Sequence, residues 1–122
     1  MEDLLTKKVI GCAIEVHRAL GPGLLESTYE RCFMYELHDA GLLVKNQVLL
    51  PINYKGRAID AAYRLDILIP GELIIELKAV DKLLPIHSAQ LITYLKLSGI
   101  KTGLLINFNQ VKLLDGIKRI SV

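Results

Sequence analysis

A chain of 122 residues, 52% of them apolar, fits one compact domain spanning 1–122 and is too apolar to be disordered. Nowhere do 18 apolar residues run without a charge, which excludes a helical membrane span. The net charge of +2 neither requires nor excludes nucleic acid, so any such case has to come from a site.

The first residues, MEDLLTKK, lack the basic-then-apolar layout of a secretion signal, and a cytoplasmic location is the expectation. Residues 3–19 follow helical periodicity through Leu5, Val9, Cys12 and Val16, and Gly21-Pro22-Gly23 stops the helix. A second helix covers about 25–40, with Leu25, Tyr29, Phe33, Leu37 and Ala40 as its apolar stripe. Its start has two readings: Ser27 with Glu30 as a capping box, or punctuation by Gly23. Cys12 and Cys32 lie in these helices and read as buried thiols rather than a disulfide. No histidine pair accompanies them to make a zinc site, and His17, His38 and His87 are scattered.

The pattern then turns to period two or to solid apolar runs. Residues 46–54 read as a strand, with Pro51 marking an edge or a bulge. Lys55-Gly56 is a turn, 58–69 the next strand, Pro70-Gly71 a turn and 73–79 a further strand. A third helix runs over about 86–98 and stops at Gly99. Residues 103–108 form a strand buried on both faces, and a short strand closes at about 117–121. The order predicts an α/β domain with a mixed sheet: an antiparallel meander, then a helical crossover to a further strand.

One hairpin carries candidate chemistry. With residues 70–72 as its loop, Asp66 lies opposite Glu76, and alternation puts Glu76 and Lys78 on the face that Asp66 shares. Facing carboxylates repel by roughly 1–4 kcal/mol at about 4 Å, and like charges across a hairpin destabilise it. A hard divalent cation such as Mg²⁺ reverses that sign. An ion pair of Lys78 with Asp66 or Glu76 on a solvated face explains the same residues, and the hairpin alone leaves both readings open. Gln90 and Tyr94, four apart on the third helix, share a face able to reach this patch. Glu26 and Tyr29 share a face of the second helix, where Glu26 alone is a first-turn residue favoured by the helix dipole.

Five ordered segments, VHRALGPGLLESTY, YRLDILI, ELIIELKAV, HSAQLITYL and GLLINFN, together resemble the GxxExxY proteins of the PD-(D/E)XK nuclease superfamily, over about residues 5–121. The resemblance implies a restriction-endonuclease-like α/β fold, a mixed central sheet flanked by helices. It implies Asp66 and Glu76 as metal ligands, Lys78 as the motif lysine, and Glu26 as the acidic residue of the first core helix. Gln90 and Tyr94 match a QxxxY motif near the substrate phosphate. Leu65 replaces the proline that often precedes the motif aspartate, at a position that varies widely. The implied activity is phosphodiester hydrolysis with Mg²⁺ or Mn²⁺. The implied partner is nucleic acid, DNA before RNA, with no membrane and with a homodimer as an allowed assembly. Two rivals stand beside it: a nuclease fold that binds nucleic acid or a protein without cutting, and a structural subunit whose partner supplies the substrate grip.

Overall fold

The computed structural model describes residues 3–60 and 63–122. Helix α1 (Leu4–Leu20) opens where the Thr6 N–H donates to Asp3 Oδ1 at 2.7 Å. Its buried stripe is Thr6, Val9, Ala13 and Val16, one position round from the expected one, with Leu5 and Cys12 packed at its border. Cys12 and Cys32 are free thiols, but half-buried rather than buried. Helix α2 (Glu26–Asp39) starts after Leu25, with no side-chain cap. The Ser27 capping box therefore does not form, and Leu25 is 73% exposed instead of joining the stripe of Tyr29, Phe33 and Leu37. What sets the start is the preceding loop. Gly23 takes φ 95°, a conformation other residues rarely adopt. The Tyr29 hydroxyl, four positions into the helix, donates to the Gly21 carbonyl and accepts from the Leu24 N–H.

The expected strand over 46–54 is two. β1 (Lys45–Leu49) ends at Leu50-Pro51, where proline cannot donate to a ladder, and β2 (Ile52–Tyr54) leaves the main sheet. β2 pairs antiparallel with β3 (Arg57–Ile59) across the Lys55-Gly56 turn as a separate hairpin. The expected strand over 58–69 is likewise divided into β3 and β4 (Arg64–Ile69); Ala61 and Ala62 between them lie outside the described residues. β5 (Leu73–Lys78), α3 (Pro85–Ser98), β6 (Thr102–Asn107) and β7 (Ile117–Ser121) follow, with a short 3₁₀ turn at Leu113–Gly116. Pro85 occupies the first turn of α3, where its missing N–H costs nothing, and Gly99 stops that helix at φ 76°.

The sheet has the order β1-β4-β5-β6-β7, antiparallel except for the β5–β6 pair that α3 connects. It carries a core on each face. Against α1 and α2 lie Ile67, Ile69, Leu73, Ile75, Leu77, Leu104 and Ile106. Against α3 lie Leu65, Ile74 and Leu105, with Leu91, Tyr94 and Leu95 from the helix itself. α3 comes close to β6 at Gly103, where an added Cβ would lie 2.9 Å from Leu91 Cδ1.

Two glycines therefore carry different loads. Gly103 faces a leucine side chain that can move, whereas a Cβ on Gly116 would stand 2.5 Å from the Asn107 carbonyl oxygen. Gly116→Ala is expected to cost about 1–3 kcal/mol, as overpacking does, and Gly103→Ala less. Denaturant unfolding of both variants checks the order.

Candidate active site

The β4–β5 ladder pairs Ile69 with Leu73, Leu68 with Ile74 and Ile67 with Ile75, then stops. Continued one step, this register sets Asp66 opposite Glu76, as the hairpin reading expects. There the side chains replace the ladder. The Asp66 N–H donates to Glu76 Oε2 and the Leu77 N–H donates to Asp66 Oδ2, each at 2.9 Å. Each carboxylate thus spends one oxygen on the other strand's backbone. The ladder is interrupted on the other side of β4 as well. β1 pairs Asn46 with Ile67 and Val48 with Leu65, skipping Gln47 and Asp66. Gln47 sits at φ 51°, uncommon for a residue with a Cβ. Its amide donates to Glu30 Oε1 at 2.8 Å, and it also steadies the Asp66 charge. The distortion at Asp66 shows in the packing too: Leu65 joins the α3-side core while Ile67 and Ile69 join the other, so strict alternation fails across Asp66.

Glu76 is only 5% exposed. Burial, then the neighbouring Asp66 charge, push its carboxyl up to about 8, against weaker relief from Lys78. Burial is also the first cause that raises Asp66 and Glu26 above the ordinary carboxylate range. Glu26, the first residue of α2, feels Asp66 and Lys78 directly, so α2 brings it to the rim of this cluster. Tyr94 comes from α3 on the other side. Its hydroxyl is pushed up by burial and then by Glu76 and Asp66. Gln90, one turn earlier, is exposed and lines the same pocket as Tyr94. Lys78 ends β5, half-buried, and all three carboxylates feel its charge. Among the described residues it makes no ion pair within 4 Å: the salt bridges there are Arg18–Glu15 and Arg119–Asp3. The simple ion-pair reading of the hairpin is therefore not what the structure shows.

Sequence reasoning missed three residues around this site. Gln47 falls inside the strand expected over 46–54 and carries no mark of its own. Tyr63, just before β4, tilts against Tyr94 with ring centroids 6.4 Å apart. Asn107, fully buried, clamps the chain after β5: its Oδ1 accepts from the Val80 N–H at 3.1 Å and its Nδ2 donates to the Val80 carbonyl at 2.9 Å. An asparagine at the end of an otherwise apolar run was the one signal that pointed to it.

The fold and the site together define a nuclease-like α/β domain with a carboxylate pair and a lysine at a splayed hairpin. The chain belongs to the PD-(D/E)XK nuclease superfamily, whose family model matches residues 3–120. No curated protein and no solved structure matches it. Nucleases of this superfamily generally use divalent metals. The donors here fit such an ion: Asp66 and Glu76 offer hard carboxylate oxygens, half-buried and buried, like-charged and, among the described residues, without a cation in ion-pair contact. No group of three His, Cys, Asp or Glu placed to hold a metal occurs among the described residues. Among those residues, no helix is long and apolar enough to cross a membrane.

The raised carboxyls fix a pH dependence. Glu76 binds its proton more tightly folded than unfolded, so metal-free stability is greatest below its ordinary value of 4.5 and declines as pH rises toward about 8. At one pH unit per 1.36 kcal/mol, the decline is on the order of a few kcal/mol. The melting temperature in EDTA should fall between those limits, and Glu76→Gln, which can still accept from the Asp66 N–H, should flatten most of the fall. Melting curves across the range test it; a flat wild-type profile contradicts the burial of these charges.

Proposed function

We propose that this domain hydrolyses phosphodiester bonds in nucleic acid at Asp66, Glu76 and Lys78, with Glu26, Gln90 and Tyr94 as supporting residues. Within the superfamily we assign it to the GxxExxY branch, on the motif from Gly23 to Tyr29. One observation carries the reading: a buried Glu76 and a half-buried Asp66 are held together with no neutralising ion pair among the described residues, at a cost in stability that a purely structural site has no reason to bear. Asp66 and Glu76 would hold Mg²⁺ or Mn²⁺. When bound, the cation supplies Lewis-acid polarisation of the phosphate and neutralises its charge.

The chain's own groups do the rest. Lys78, beside the carboxylates and free of an ion pair among the described residues, would direct its ammonium at charge that develops on the phosphate oxygens. The Tyr94 hydroxyl, with its pKa raised, stays protonated and donates. The exposed Gln90 amide offers a sequence-independent contact to the backbone of the strand. Glu26 sets the acidic rim and competes with Asp66 for the influence of Lys78. A module that grips nucleic acid without cutting is the second reading. What supports it is that the described residues hold no cluster of three or more candidate metal ligands. Incubation with a mixed panel of DNA and RNA structures, with and without Mg²⁺ or Mn²⁺, separates the two readings: metal-dependent cleavage is expected.

Asp66→Asn should act oppositely on stability and on function. Its amide oxygen can still accept from the Leu77 N–H, while the like charge beside Glu76 disappears. The metal-free variant should gain on the order of 1 kcal/mol. Mn²⁺ should raise the melting temperature of the wild type, as any ligand of the native state does, but not that of the variant. Cleavage should vanish with it. Lys78→Ala should keep the Mn²⁺ response and lose roughly 10²–10³-fold in cleavage rate, the cost of removing one preorganised donor. A wild type indifferent to Mn²⁺, with a variant that melts lower, would overturn the metal site.

A further inference from the structure

Beside the carboxylates lies a pocket of about 200 Å³, lined by Ile52, Tyr63, Gln90, Thr93, Tyr94 and Leu97. It is assembled from three separate places: the β2–β3 hairpin, the residue before β4, and one face of α3. Tyr94 belongs to both sites. Its hydroxyl feels Glu76 and Asp66, and its ring forms a pocket wall. Tyr63 packs against it as a tilted pair, ring centroids 6.4 Å apart at an interplanar angle of 57°, so the outer face of Tyr63 is left for a ligand. Tyr63 is 47% exposed, and its aromatic surface is unspent on the core.

The lining has a defined chemistry. Two aromatic faces and two aliphatic walls, Ile52 and Leu97, suit a flat, weakly polar ring. Gln90 adds an amide with both donor and acceptor atoms, and Thr93 a hydroxyl with spare acceptor capacity beside its bond to the Ala89 carbonyl. That is the complement of a nucleobase: a π-face to stack and an edge to hydrogen-bond. A nucleotide's base and phosphate are joined through one sugar, which matches a pocket that shares Tyr94 with the carboxylate pair. A pocket of about 200 Å³ suits one ring system rather than a base pair.

We propose that this pocket receives an unpaired nucleobase next to the cleaved linkage, so the substrate is a single strand or a frayed end. The inference rests on the phosphodiesterase reading for the role of the site, but binding tests it separately. The measurement is fluorescence anisotropy in EDTA with a labelled oligothymidylate of about 15 nucleotides and an abasic oligomer of equal length and charge, within the span such proteins cover. The oligothymidylate should bind roughly tenfold or more tightly than the abasic strand, as expected for base–aromatic stacking. Tyr63→Ala should remove most of that difference and leave abasic binding unchanged, while Tyr63→Phe should preserve it. A melting temperature near the wild-type value certifies that the half-exposed Tyr63 variants are folded. Equal binding of the two strands, no binding of either, or a base preference that survives Tyr63→Ala in a folded variant overturns the pocket. Base-dependent binding without Mn²⁺-dependent cleavage would sink the phosphodiesterase reading and leave the pocket standing; cleavage without base dependence would do the reverse.

Discussion

Two carboxylates that bridge the open end of a hairpin are the contact on which the site depends. Where the β4–β5 ladder stops, the N–H groups of Asp66 and Leu77 need partners, because a buried donor without one is costly. The side chains of Glu76 and Asp66 supply them, each across to the opposite strand. The same groups therefore end the sheet locally and form the acidic pair. The hydrogen bonds favour the ionised forms, whereas burial and mutual repulsion oppose them more strongly, and the net result is a raised carboxyl at each position. A proton or a cation resolves the conflict, and only the cation leaves both carboxylates charged.

Glu26 and Lys78 are held in place through the end of β6. Phe108 donates its N–H to the Lys78 carbonyl at 2.9 Å, and its ring stacks on Tyr29 at 4.7 Å, nearly parallel. Tyr29 in turn anchors the Gly21–Leu24 loop that launches α2 and its first residue, Glu26. Asn107 clamps Val80, two residues past Lys78. One buried contact chain thus fixes Glu26 and Lys78 relative to each other, although they lie far apart in sequence. It explains why Tyr29 is fully buried: it positions the loop and the helix start, while Glu26, at that start, feels the Asp66 charge.

The sequence made the element order and the hairpin register legible, because both follow from local rules. Proline and glycine mark the turns, and a short loop at Pro70-Gly71 leaves little freedom in pairing Asp66 with Glu76. The convergence of Gln90 and Tyr94 was legible for the same reason, since helix periodicity fixes which residues share a face. Long-range competition was not legible. Pro51 allowed either an edge strand or a bulge, and only the tertiary structure turns β2 and β3 out into their own hairpin. Ser27 and Glu30 spelled a capping box, but Glu30 accepts instead from Asn46 and Gln47 of β1, and Tyr29 organises the helix start. Gln47 and Tyr63 carried no local mark, because their importance comes from what stands across the sheet.

The site lies at a seam between two cores. One face of the sheet packs against α1 and α2, the other against α3, and β4 shifts its allegiance at Asp66: Leu65 serves the α3 side, Ile67 and Ile69 the opposite side. A regular strand could not do this, since residues two apart point the same way. The irregularity at Gln47 and the missing pairs on both edges of β4 are how the backbone accommodates the change. At such a seam neither helical layer covers the strand fully, so groups from α2 and α3 can meet over it while both cores stay closed. A charged cluster placed there draws on the low dielectric of two cores without interrupting either. With a net charge of only +2, the chain has little long-range field to gather a polyanion. On the proposed function, its hold on a nucleic-acid strand would therefore come from short-range contacts near this seam, with Lys78 beside the carboxylates and with Gln90, Tyr63 and Tyr94 around the neighbouring pocket.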